Sequence, residues 1–237
     1  MDHVDTLRAA GCVFAEDEAR LLADAALDPA HLETMVGRRA GGLPLEQVVG
    51  WAEFCGLRIA VEAGVFVPRP RTELLVREAV ALLTPGAVVV DLCCGSGAVG
   101  AALAAADDSV EVHAADVDPV AVRCARRNLA RVYEGDLFDA LPRSLRGRVD
   151  VLAVNAPYVP SDEVALLPRE ARLYEPRAAL DGGADGLDLL RRVIEAAAGW
   201  LTPEGRLVTE ASEAQTPAVL SAAARVGLES RVVVASG

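Results

Sequence analysis

The sequence contains no lysine, so all 23 of its basic residues are arginine. Alanine, arginine and valine are abundant, the bias of a GC-rich coding sequence, so the choice of Arg over Lys carries little functional meaning. Acidic residues number 35 and the net charge is -12. This argues against a protein whose main task is to grip a phosphate backbone, which takes a positive footprint. Cysteine is sparse and unpatterned. Cys12, Cys55, Cys93, Cys94 and Cys124 are odd in number and lack CxxC spacing, so neither a disulfide framework nor a zinc site is expected. They read as small, reduced core residues. His3, His31 and His113 are scattered, and no metal site is expected from them. The start of the chain lacks a basic region followed by an apolar run, which argues against a signal peptide. No apolar stretch approaches the roughly 20 residues that span a bilayer. The expectation is a soluble cytoplasmic protein, monomeric, with no direct nucleic-acid or membrane partner.

What is present is a rich supply of core. Of 237 residues, 52% are apolar, enough for one full domain and a small appendage. Residues 1–50 read as helical. "AEDEARLLADAAL" carries acids early and sets Ala19, Leu22 and Ala26 on one face, and "PLEQVVG" opens on Pro44 and stops at Gly50. Residues 51–67 alternate around Gly56 and Gly64, as a hairpin does. "PRPRTELLVREAVALL" then opens a helix, with Thr72 as its expected N-cap. From Ala87 strands and helices alternate: "AVVVDLC", "AVGAALAAA", "SVEVHAAD", "PVAVRCARRNLA", "RVYEGD", "DVLAVN", "GLDLLRRVIEAAAGWL", "GRLVTEAS", "TPAVLSAAARV" and "LESRVVVAS". That order predicts an α/β protein with a doubly wound, mostly parallel sheet over residues 68–237. Its ligands belong beyond the carboxyl ends of the strands. Two joins stand out. "NLA" runs almost directly into the strand at Arg131, and the last strand ends with the chain, so residues missing near Ala130 and after Gly237 are one expectation.

"VVVDLCCGSGAVG" places Gly95, Gly97 and Gly100 in GxGxxG spacing. Alone, this fits either a dinucleotide site or a tight strand-to-helix turn with no ligand. Asp91 changes the balance. It ends the strand four residues before Gly95, where a carboxylate is unwelcome beside a diphosphate but suits the cationic ammonium and sulfonium of S-adenosylmethionine. Asp116, ending the next strand, suits both ribose hydroxyls. Asp136, ending the third, can accept from the adenine amino group. Each could instead cap the following helix, a reading credible for one and weak for all three.

The fourth strand end carries "NAPY", residues 155–158. An amide is a poor nucleophile because its lone pair is delocalised. Two acceptors that hold its N–H bonds can aim the nitrogen at a methyl carbon, by orientation and electrostatics and with no strong base. The side-chain oxygen of Asn155 and the backbone carbonyl of Ala156 are candidates. Pro157 fixes the turn, and Tyr158 can pack on a planar amide. The competing reading is an Asx-type turn that merely stops the strand.

This tetrad resembles the (N/D)PPY motif of amino-group methyltransferases. The rest of the chain narrows the resemblance to the HemK/PrmC-like protein-(glutamine-N5) methyltransferases. "RRAGGLPLEQVVGWAEFCGLRIAVEAGVFVPRPRTELLV" is similar to that family's helical-domain exit, hairpin and PRPETE segment. "DLCCGSGAVGAALA" resembles its cofactor loop, and "YEPRAALDGGADGLDLLRRVI" its EP…AL.GG.DGL stretch. The resemblance implies a class I S-adenosylmethionine-dependent methyltransferase domain, yielding S-adenosylhomocysteine, preceded by a small helical domain that recognises the substrate. The implied acceptor is the GGQ glutamine of peptide-chain release factors. It also implies that Cys93, Cys94, Gly95, Ser96 and Gly97, with Asp116, Val117, Leu137 and Asn155, contact the cofactor or lie beside it. Asn155, Ala156, Pro157 and Tyr158 would hold the glutamine amide. Arg69 and Arg71, which flank Pro70, read either as contacts to a protein substrate or as solvated surface arginines. Glu175 is expected either to salt-bridge locally or, the favoured reading, to order the substrate loop.

Three departures matter. Ala156 replaces the first proline of the tetrad, Arg71 stands where the family usually has Glu, and the chain stops about where the family continues into a last antiparallel strand. Alternative acceptors are therefore a ribosomal-protein glutamine or a small-molecule amine, with a nucleobase disfavoured by net charge. A catalytically silent, cofactor-binding paralogue is the reading from another class. Cys93 and Cys94 have no histidine placed near them in a nucleophile's pattern, so backbone roles are expected.

Overall fold

The computed structural model describes residues 2–234. Four helices come first: α1 (His3–Ala9), α2 (Ala15–Ala25), α3 (Pro29–Ala40) and α4 (Leu45–Val49). Asp2 and Asp28 cap α1 and α3 by accepting from the N–H groups of Val4 and His31, and Pro29 takes the first turn of α3, where no amide donor is needed. Their apolar faces meet in one small core around Leu7, Leu22, Met35 and Val48. α4 ends at Gly50, whose φ of 85° only glycine adopts freely. A hairpin follows, β1 (Trp51–Phe54) against β2 (Leu57–Ala60), turning through Cys55 and Gly56 at φ 50° and 73°. Two residues of positive φ match the twist of such a hairpin.

The main sheet holds β3 (Val88–Leu92), β4 (Glu111–Asp116), β5 (Val132–Glu134), β6 (Val149–Val154) and β7 (Leu201–Thr209), all parallel, in the order β5-β4-β3-β6-β7. Its helices are α5 (Glu73–Val80), α6 (Ala98–Ala106), α7 (Pro119–Ala125), α9 (Asp188–Ala197) and α10 (Thr216–Arg225), with the short α8 (Arg169–Tyr174) between β6 and α9. Strand side chains alternate between faces, and both faces here are covered. Val88, Val90, Leu92, Leu152 and Val154 face the α9 side, packing with Val193 and Trp200. Val89, Val151 and Ala153 face α5 and α6, packing with Leu75, Val76 and Leu103. This is why the strands read as continuous apolar runs. The order reverses between β3 and β6, so the crevice beyond their carboxyl ends is where a ligand fits. Among the described residues no helix is long and apolar enough to cross a membrane.

Four expectations are corrected. The helix after Asp118 stops at Ala125, not Ala130, leaving 126–131 as a connection of ordinary length, so the join needs no missing residues. Asn128 in that connection bonds the N–H and carbonyl of Ala60 and the carbonyl of Ser96 through its side chain, which holds it out of the helix. The helix expected over 186–201 ends at Ala197, before Gly199, and Leu201 already pairs with Val149 as the start of β7. Thr72 does not cap α5. It ends a 3-10 turn, Pro70–Thr72, with helical dihedrals, and its hydroxyl is engaged elsewhere. The strand expected over 228–236 is absent as far as Val234, while Ala235 and Ser236 lie outside the described residues. Arg231 pairs with Glu78, and Val234 is 80% exposed. Valine-rich composition favours a strand only where a neighbouring strand takes up its backbone groups, and among the described residues no strand pairs with this segment.

Candidate functional site

A cavity of about 430 Å³ lies beyond the carboxyl ends of β3, β4 and β6. Asp91, Asp116, Asp136, Asn155 and Tyr158 all line it, as do Arg69 and Arg71. The residues singled out from four separate strand ends therefore share one space.

On one side the glycine loop is wound tightly. Cys93, Gly95 and Gly97 have φ of 56°, 55° and 77°, and Leu137 has 49°. Left-handed backbone at Cys93 and Leu137 costs free energy, of order 1–3 kcal/mol each, and such conformations concentrate at ligand sites. The loop is tied down by the acids. Asp91 accepts from Gly100 N–H at 2.8 Å, and Asp116 accepts from Gly95 N–H at 2.8 Å and Asp118 N–H at 2.9 Å. A Cβ at Gly100 would press on Asp91 and Leu129, so glycine there permits the first of these bonds. Burial pushes the Asp91 carboxyl up to about 7 and also raises Asp116, with each carboxylate's neighbouring acid adding to the effect. A dry carboxylate of this kind is stabilised by a cation placed beside it. Burial likewise raises the Cys93 and Cys94 thiols, with Asp91 and Asp116 adding to it, so neither is a thiolate nucleophile. Asp136 differs: it is half exposed and paired with Arg192 at 2.6 Å.

The other side is assembled from distant segments. Asn155 Nδ2 donates to Thr72 Oγ1 at 3.3 Å, and the Thr72 hydroxyl donates to Glu210 at 3.2 Å. Among the described residues no donor reaches Asn155 Oδ1 or the Ala156 carbonyl. The backbone after the tetrad is clasped by Leu180 and Gly182 and by the side chain of Gln215. Val159 N–H donates to Leu180, Gly182 N–H donates to Val159, and Gln215 Nε2 donates to the Tyr158 carbonyl at 2.8 Å. A Cβ at Gly182 would collide with the Pro157 carbonyl, and one at Gly186 with the Tyr158 carbonyl. These two glycines are what close approach to the tetrad requires. Arg69 reaches both oxygens of Glu175 at 2.6 Å, and Glu175 also accepts from Val67 N–H. Glu175 is buried, which raises its carboxyl against the pull of Arg69. Glu175 thus salt-bridges Arg69 and ties down the backbone at Val67, before Pro70. The exposed Arg71 guanidinium lies 5.7 Å from the Tyr158 ring centroid. Burial also raises Glu210, opposed by Thr72 and Arg71. Nothing local in the sequence marks Thr72, Glu210 or Gln215 as supports of this wall, because their partners lie 83, 138 and 57 positions away.

Residues 57–167 match the model of the methyltransferase small domain. A release factor glutamine methyltransferase of Geobacter sulfurreducens is 38% identical over 213 residues, covering 86% of this chain and 74% of its own. The chain belongs to the release factor glutamine methyltransferase family. A 4-amino-L-phenylalanine/4-methylamino-L-phenylalanine methyltransferase of Streptomyces pristinaespiralis is 37% identical, covering 80% of this chain and 69% of its own. In fold, the chain resembles the ribosomal protein L11 methylase of Lactobacillus delbrueckii subsp. bulgaricus with a TM-score of 0.55 at 15% identity, covering 76% and 80%. The fold is that of class I methyltransferases, and the cofactor is S-adenosylmethionine. The cavity fits it: buried carboxylates suit its cationic end, and a glycine-wound loop leaves room for close backbone approach.

Proposed function

We propose that this protein methylates the side-chain amide nitrogen of a protein glutamine, the GGQ glutamine of a peptide-chain release factor. The observation that carries the reading is the pair of uncommitted acceptors, Asn155 Oδ1 and the Ala156 carbonyl, over the same cavity as Asp91 and Asp116. In this reading Asp91 faces the cofactor's cationic end, Asp116 its ribose, and the Cys93–Gly97 loop its amino-acid portion. Val117, Leu137 and Asp136 border the adenine, with Arg192 sharing Asp136. When bound, S-adenosylmethionine supplies an electrophilic methyl group and leaves as S-adenosylhomocysteine.

The protein's own work is positioning. Asn155 and Ala156 each accept one N–H of the acceptor amide, which turns the face of the nitrogen towards the methyl carbon. Holding reactants in such a geometry removes much of the entropic barrier, and acceptors fixed in a dry site stabilise the positive charge that builds on the nitrogen as its bond to the methyl forms and the methyl–sulfur bond breaks. One of its two N–H protons then passes to water, leaving the neutral N-methyl amide. Ala156 serves as well as proline, since only its carbonyl is used. Tyr158 packs on the amide plane. Arg69, anchored by Glu175, and Arg71 border the entrance to the protein substrate, and helices of residues 1–50 form the recognition unit.

Purified protein is incubated with labelled S-adenosylmethionine and each release factor, and the methylated peptide is mapped. Label on the GGQ glutamine is the expected result, and its absence from every such glutamine sinks the assignment. A second reading keeps the chemistry and changes the acceptor to a small amine or another protein. Arg71 favours it, because a cation over Tyr158 suits an anionic group beside the reacting nitrogen. Cofactor binding by calorimetry without methylation of any acceptor would instead mark a silent paralogue.

A further inference from the structure

Thr72 is 3% exposed, lines the cavity, and stands between two groups that belong to distant parts of the chain. Its hydroxyl oxygen lies 3.3 Å from Asn155 Nδ2 and 3.2 Å from a carboxylate oxygen of Glu210. A hydroxyl has one proton to give, and an ionised carboxylate can only accept. The Thr72 proton therefore points to Glu210, and the lone pairs of its oxygen turn to Asn155. Only the NH₂ end of the Asn155 amide can meet those lone pairs. The oxygen end is left facing away from Thr72.

We propose that Thr72 and Glu210 are positioning residues that set which end of the Asn155 amide faces the acceptor. The direction of the whole chain of hydrogen bonds is fixed at its far end by one carboxylate. Without Glu210, the Thr72 proton is free to turn to Asn155 and satisfy its oxygen instead. The amide would then rotate and present NH₂ to the N–H bonds of the substrate, donor against donor. An asparagine alone has no preference strong enough to prevent this, since its two ends have nearly the same shape. Chains of this kind also strengthen each bond by polarising the next. The proposal rests on the reading of Asn155 as an acceptor for a substrate amide, and it explains why a threonine and a glutamate 138 positions apart come together behind it.

The test reads Asn155 directly as well as the reaction. In ¹⁵N-labelled protein the Asn155 side-chain NH₂ pair is assigned by its loss in Asn155→Asp. Thr72→Val, which keeps the shape and removes the hydroxyl, is expected to shift that pair, and Thr72→Ser to leave it near its original place. In turnover, Thr72→Val lowers kcat about 10- to 100-fold, the scale of a misplaced reacting group. Its cofactor affinity by calorimetry stays close to wild type, its acceptor KM changes less than kcat, and Thr72→Ser restores most of the rate. Glu210→Ala carries the same two readouts should Thr72→Val fail to fold. An NH₂ pair unmoved by Thr72→Val, or full kcat in that variant, overturns the proposal. If the wild type methylates no glutamine, the proposed function fails while the NH₂ signal still decides the positioning.

Discussion

Asp91 and Asp116 are held by backbone N–H groups 9, 21 and 2 positions away. Asn155 is held by a side chain 83 positions away, which leans on another 138 further along, and the Tyr158 carbonyl by one 57 away. The proposed cofactor side of the cavity is thus a local construction of loop and strand end. The proposed acceptor side is a convergence of segments that meet only when the sheet, α8 and α9 are all in place. Local construction tolerates change in the rest of the chain, whereas convergence makes acceptor positioning depend on packing far from the chemistry.

The largest effect is expected at Asn155. Asn155→Ala removes the acceptor and lowers single-turnover methyl transfer by at least about 10²- to 10³-fold, while cofactor affinity by calorimetry falls only modestly. Full activity would break the division between the two sides. Next comes Gly186→Ala, which forces left-handed backbone at φ 77° on a residue with a Cβ aimed at the Tyr158 carbonyl. Strain of about 1–3 kcal/mol is expected before any clash is counted. The melting temperature should fall and transfer should weaken much more than cofactor binding.

Asp91→Asn should act on the other side alone, weakening cofactor affinity about tenfold or more with little change in acceptor KM. The sign of the pH effect follows from its raised carboxyl. In the cofactor-free protein Asp91 titrates at about 7, above its unfolded value, and a bound cation favours the ionised form. Affinity should therefore fall as pH drops through 7, by up to about tenfold per pH unit, and Asp91→Asn should flatten that slope. Without cofactor the same group makes folding less favourable as pH rises from about 4 to 7. Asp116 is raised in the same direction and adds to both trends. The smallest effect is expected for Glu175→Gln. It keeps the hydrogen bond from Val67 but removes the charge facing Arg69, so acceptor KM should rise severalfold with cofactor affinity unchanged.

The central strands β3 and β6 are legible because both faces of the sheet are buried there, which writes each as an apolar run. Asp116 ends β4, Asn155 follows β6, and Asp91 lies one residue inside the end of β3; all line the cavity. For Glu175 a local salt bridge and a loop-ordering role both fit the sequence, and its partner Arg69, 106 positions away, is visible only in the fold. The strand expected at residues 228–236 does not form as far as Val234: valines carry strand propensity, but among the described residues none of this segment pairs with the open edge of β7, so the propensity goes unused. Thr72 was read as a helix cap because its place before "ELLV" looks like one, and its hydroxyl was claimed instead by groups from β6 and the end of β7. Gln215 looks like any polar residue at a helix start. Its capping box with Ser212 is local, but the bond it gives Tyr158 is not.

By itself, the sequence determined the strand ends, the glycine turn and the tetrad, since each depends on dihedral preferences and burial patterns spanning a few residues. Only the tertiary structure decided how the tetrad is held. The bonds to Asn155 and Tyr158 cross between segments whose separation along the chain carries no pattern, and hydrogen bonds act only over about 3 Å. A side chain's partner is therefore fixed by where the fold delivers it. That is how Thr72, an unremarked hydroxyl in a turn, comes to stand behind Asn155.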